Sequence, residues 1–142
     1  MSLCTWTRWL TTLIPTLIFL LGTDWLFHAV ILQDWYANTE QLWRDKATLA
    51  SNMWWMFGGQ ALFALTLIII FGKNYEHRGW MEGIRFGWWM GVLLAAPIIM
   101  SHSYAAIPAK FVWAWSGIGI FQTMGVGLIL CFAYKNMNDC PA

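Results

Sequence analysis

The sequence predicts an all-α fold: an integral membrane four-helix bundle with an interfacial helix between its first and second spans. Three observations predict it. The 142 residues are 59% hydrophobic and only 11% charged, against about 25% charged in soluble domains, so the chain cannot cover itself with polar surface in water. The apolar residues gather into four runs, each near the ~20 residues that a helix needs to cross the hydrocarbon core. Charged residues gather between those runs. At this length they make one membrane domain, residues 1–142.

The first run covers about residues 10–32 and follows Arg8. It exceeds the ~7–15-residue core of a secretory signal and lacks a small-residue cleavage site, so it is expected to be retained. The second covers about residues 52–71, the third 84–100 and the fourth 109–134. Pro15 and Pro97 fall inside runs, where neighbouring helices can satisfy the freed carbonyls, and each marks an expected kink.

The first connection, QDWYANTEQLWRDKATLA, repeats Trp35, Leu42 and Leu49 at seven-residue spacing, with Tyr36, Trp43 and Ala50 alongside. Two adjacent rows make one apolar stripe, the pattern of a short helix lying flat among headgroups. An irregular loop with aromatic anchors is the alternative.

With the N-terminus inside, the inner side holds Arg8, Lys73, Arg78, Arg85 and Lys135, and the outer side Arg44, Lys46 and Lys110. The balance places both termini in the cytoplasm. Glu82 and Arg85 are three apart and can pair on one helix face. Of twelve tryptophans, Trp6, Trp9 and Trp80 fall near the inner boundary. Trp35, Trp43, Trp54, Trp55, Trp113 and Trp115 fall near the outer one, as in an aromatic belt, with Trp88 and Trp89 deeper. Cys4, Cys131 and Cys140 show no metal-ligand spacing and are read as reduced thiols. A net charge of +1 offers no basic face for nucleic acid.

Membrane helices associate by close backbone approach, which small residues permit. Gly83, Gly87, Gly91 and Ala95 make one stripe on the third helix; Gly119, Thr123, Gly127 and Cys131 make another on the fourth. The stripes can pack on each other or on a partner, whether another membrane subunit or a copy of the chain. If the third-helix stripe is the partner interface, Gly87→Leu and Gly91→Leu release the partner without unfolding the chain.

Asp24 interrupts the first run, with His28 one turn later on the same face. Gln60 and Ser116 enter their own runs to a similar depth, which predicts one polar layer, and His102 ends the third run on the same side. An ionisable group in a membrane is costly and calls for a named role. Three are open: a structural role, with Asp24 clamped to His28, Gln60 or Ser116 or held protonated; a proton or cation site open to the outer side; or a haem or metal site through His28 and His102. No HxxxH or ExxH spacing supports the last, and no cofactor is predicted.

DWLFHAVILQDWY, the LW of the first connection, WWMFGGQ, EGIRFGWWMG and AAP stand in that order between about residues 22 and 97. In this the chain resembles a group of small, uncharacterised bacterial four-helix membrane proteins. The resemblance implies the bacterial inner membrane and treats Asp24, His28, Gln60 and Arg85 as one pattern; it implies no reaction.

No nucleophile–base pair, phosphate loop or carboxylate dyad is present, so no enzyme is expected. The leading expectation is a non-catalytic accessory or assembly subunit of a larger membrane complex, respiratory or photosynthetic. The alternatives are a small oligomeric transporter or channel with Asp24 and His28 on its path, and a haem or metal protein.

Overall fold

The structure is a computed structural model that describes residues 3–135, with side chains from Thr11 onward. The side chains of Cys4, Trp6, Arg8 and Trp9, and Cys140 entirely, lie outside the described residues.

The described chain is helical almost throughout. Helix α1 (Leu3–Asp24) continues into a π-helical stretch, Trp25–Ile31; α2 (Gln33–Ala37) follows, then a single 3-10 turn, Glu40–Leu42. The long helices α3 (Lys46–Lys73), α4 (Trp80–Ser101) and α5 (Ala109–Lys135) complete it. Four helical stretches are long and apolar enough to cross a membrane: Thr11–Ile31, α3, α4 and α5. This is the make-up of a multi-pass membrane protein.

Opposed residues give the packing. Asp24 meets both Gln60 and Gln122, and Gly83 lies against Gly127. The bundle therefore runs up and down, with α5 between α4 and α1, and α3 on the far side of α1. One end holds Leu3 and Lys135, and the opposite end, called the loop end below, holds the α1–α3 and α4–α5 connections.

The two small-residue stripes face each other. A Cβ on Gly87 would meet the backbone of Thr123 and Met124, and one on Gly91 would meet Ile120 and Thr123. Gly83, Gly87, Gly91 and Ala95 are all buried, as are Thr123 and Gly127. Gly119 is the exception, with open space where its Cβ would stand. These stripes thus hold α4 to α5 inside the chain, and a partner would have to dock elsewhere.

The apolar core lies toward the end that holds Leu3 and Lys135. Leu20, Ala64, Ile68, Phe71, Val126 and Leu130 form it, and Phe71 packs edge-on against Phe86 and Tyr134. The short α3–α4 connection is pinned beside this core. The buried Glu82 carboxylate accepts from the backbone N–H groups of Glu76 at 2.6 Å and Arg78 at 2.8 Å. His77, between them, takes the left-handed conformation at φ 61°, which a bulky residue adopts only when its surroundings impose it. The expected Glu82–Arg85 pair is not formed, because Glu82 is turned inward on the backbone; Glu76 instead pairs with Arg78 at 2.9 Å and lies 3.9 Å from Arg85.

The first connection differs from its expected single helix. The heptad stripe is split between α2, the 3-10 turn and the first turn of α3, because Asp45 starts a new helix. Its side chain accepts from the backbone N–H and hydroxyl of Thr48, at 2.9 and 2.6 Å, the N-cap geometry that satisfies an orphan donor. Helix α3 therefore begins six residues before the apolar run near residue 52.

The same hydrogen bonds from Thr48 hold the Asp45 carboxyl below its ordinary value. A depressed carboxyl contributes stability above its unfolded value, and that contribution is lost as pH falls through the folded one. Protection of the amides at residues 46–49, measured against their intrinsic exchange rates at each pH, should fall as pH drops below about 4, and Asp45→Ala should show the low protection at every pH. Equal exchange in both proteins at neutral pH would remove Asp45 as the cap.

Candidate functional site

Asp24 stands where the α-helical part of α1 gives way to π-helical turns. Such wide turns inside a helix recur at functional sites. One carboxylate oxygen accepts from Gln60 Nε2 of α3. The other accepts from Gln122 Nε2 of α5 at 2.7 Å. Gln122 also donates to Thr23 Oγ1 at 2.9 Å, and that hydroxyl in turn donates to the Phe19 carbonyl at 2.7 Å. One carboxylate thus joins three helices, and no Lys or Arg pairs with it among the described residues.

The depth of this layer follows from the helix starts. Gln60 lies about 14 residues into α3 and Gln122 about 13 into α5, so both stand about 20 Å from the first residue of their helix at 1.5 Å per residue. The carboxylate is therefore near the middle of two helices that are long and apolar enough to span a membrane.

Beside it the bundle opens. The α1–α3 space toward the loop end is a cleft of about 670 Å³, walled by Leu21, Trp25, Met53, Met56 and Phe57, with Asp24, Gln60 and His28 as its polar lining. A mostly apolar hollow with a few placed polar groups is the general form of a ligand site.

His28 does not bond to Asp24. Its Nδ1 lies 2.6 Å from the Tyr36 hydroxyl, which accepts from Trp115 Nε1 at 3.0 Å. Indole nitrogen only donates, so the Tyr36 proton is free to point at His28, which leaves the proton of a neutral ring on Nε2. Burial holds the Tyr36 phenol above its ordinary value; Trp115 opposes the shift and the charge of Asp24 adds to it. The hydroxyl therefore stays protonated through the physiological range.

An aromatic cap closes this end. Phe111 is fully buried and touches Trp35, Tyr36, Trp43 and Trp115, with ring centroids 5.1–5.8 Å away. Trp35, Trp43 and Trp115 thus pack within the protein, whereas Trp54, Trp55 and Trp113 are exposed. Tyr36→Phe should leave Trp115 Nε1 and His28 Nδ1 without their shared partner and cost about 1–2 kcal/mol. Unfolding in mixed micelles, followed by tryptophan fluorescence, measures it; an unchanged midpoint would dismiss the bridge.

Of the expected polar layer, the structure brings together Asp24 and Gln60 and adds Gln122 and Thr23. Ser116 is buried but donates to its own helix, at the Val112 carbonyl. His102 is exposed, with Nδ1 2.9 Å from the Ile107 carbonyl. His28 and His102 are thus held by different partners. Among the described residues, no group of three or more His, Cys, Asp or Glu side chains converges as a metal set would.

Gln122 was legible as an amide inside the fourth apolar run. Depth counted from the outer end of that run pointed to Ser116 instead. Comparison with protein families, curated proteins and solved structures returns no match for the chain.

Proposed function

We propose that this chain is a small membrane protein that handles a cation or a proton at Asp24, reached through the α1–α3 cleft, and that it works as an oligomer. One observation carries the reading: a carboxylate with no basic partner among the described residues lies near mid-helix on the wall of an open cleft. An aspartate at the centre of a spanning helix costs about 2.5–3.5 kcal/mol on insertion scales. Interhelical hydrogen bonds in membranes average only about 0.6 kcal/mol, so two of them fall short of that cost and a purely structural tie gives little reason for the charge. A single unit leaves the cleft open sideways, and a second copy would supply the missing wall.

The test is flux in proteoliposomes. Asp24→Asn should abolish uptake of protons or small cations while the protein elutes at its usual size. Equal flux in both proteins, or none in the native one, removes the reading.

A second reading is favoured by the double capture of the carboxylate, whose oxygens are each engaged by a glutamine. In it Asp24 is a clamp, and the chain is a non-catalytic accessory or assembly subunit of a larger membrane complex, respiratory or photosynthetic. Extraction from native membrane in mild detergent decides: different proteins in fixed ratio support it, and a lone chain or homo-oligomer sinks it. Absorbance and metal analysis of the same particle test the haem or metal alternative through His28 and His102. Both readings place the protein in the bacterial inner membrane with cytoplasmic termini, which reporter fusions at either end check.

A further inference from the structure

We infer that the α1–α3 cleft binds a lipophilic organic cation, an amine or onium group on an apolar body. The inference rests on the reading of Asp24 as a cation site and names the class of cation.

The lining argues for it. Small inorganic cations need several oxygen ligands in a shell, as calcium and magnesium sites show. Here one carboxylate, one amide group of Gln60 and the His28 ring, whose Nδ1 is taken by Tyr36, meet a wall of Leu21, Trp25, Met53, Met56 and Phe57. That wall offers nothing to a hydrated ion and much to an apolar body. Trp25 and Phe57 line the cleft, and aromatic rings of this kind attract a cation electrostatically; the two methionines are flexible and polarizable, so they adapt to varied shapes.

Charge complementarity supplies the rest. Asp24 keeps one amide donor on each oxygen, and each carboxylate oxygen can accept a further bond. The two glutamines therefore hold the carboxylate in place without neutralising it. The volume, about 670 Å³, lies within the ~300–1,000 Å³ usual for small-molecule sites and is too confined for a partner helix ~10–12 Å across. A lipid tail would fit the walls, but it leaves the carboxylate without a counter-charge.

The experiment uses the purified full chain in detergent, with tetraphenylphosphonium as the probe and the neutral triphenylphosphine oxide as its apolar control. Equilibrium dialysis should show saturable binding of the cation and at least tenfold weaker binding of the neutral compound. Asp24→Asn should weaken cation binding at least tenfold. Ala29→Phe is the second variant: Ala29 is exposed on the cleft wall and bonds to nothing in the Asp24 layer, so the ring fills the space while the clamp stays intact. It too should weaken binding at least tenfold, without a change in elution size.

Equal affinity for the neutral compound, or binding unchanged in both variants, would overturn the inference and leave an apolar lipid site. No binding of the probe, with Asp24-dependent flux of protons or small cations intact, would overturn the substrate class alone. Loss of both would overturn the reading on which it rests.

Discussion

Asp24→Ala should loosen three helices at once and lower the stability of the bundle by about 1–3 kcal/mol. A hydrogen bond to a charged group is worth about 1.5–3 kcal/mol in soluble proteins. Interhelical bonds in membranes average only about 0.6, with a maximum near 1.7, because the unfolded chain finds partners too. Two such bonds converge on Asp24, one from α3 and one from α5. Removing the carboxylate also strands two amide donors, of which Gln122 is buried.

Asp24→Asn should fall between native and alanine, since its one oxygen can serve only one glutamine well. Reversible unfolding in mixed micelles gives the midpoints, and cycles with Gln60→Leu and Gln122→Leu apportion the two bonds. A change below about 0.5 kcal/mol for Asp24→Ala would show that the carboxylate clamps nothing.

Gly87→Leu should be more damaging, because it acts on backbone rather than side chain. Its Cβ would enter the space already held by the carbonyl of Thr123 and the main chain of Met124. Neither can rotate away, so α4 and α5 must part along their length. Overpacking costs about 1–3 kcal/mol where side chains can adjust, and a larger loss is expected where they cannot. The outcome should be failure to fold or gross aggregation, not release of a partner from a folded chain.

Gly58→Ala is the matched control. Beyond its own stretch of helix backbone nothing lies within 4 Å of its added Cβ, and alanine exceeds glycine in a helix interior by about 1 kcal/mol, so this change should stabilise. A folded Gly87→Leu protein that keeps α4 against α5, shown by cross-linking across the 83–127 pair, would refute the packing.

The four apolar runs were legible in the sequence because hydropathy depends on composition over some 20 residues, and the bilayer sets that length. The Asp24–Gln60 contact was legible for a related reason: few polar groups occur in such runs, and each must find another. The glycine stripes were legible as surfaces for close approach, but their partner was not. A period of four says which residues share a face; only the three-dimensional arrangement says what that face meets, and here it is the other stripe.

Depth was misjudged for one physical reason. The apolar run of α3 starts near residue 52, but the helix starts at Lys46, where Asp45 caps it. Counting from hydropathy therefore set Gln60 about 8 residues into its helix where the cap sets it about 14, and by the same measure Ser116 stood in for Gln122. Hydropathy reports where water ends, whereas a cap reports where hydrogen bonding begins, and the two need not coincide. By itself the sequence determined four apolar helices, their order and the presence of a carboxylate among them, since these follow from composition and local spacing. Only the tertiary structure decided that this carboxylate joins three helices beside an open cleft. That depends on the rotation and offset of each helix, set by backbone contacts between residues about 29 to 44 apart in the chain.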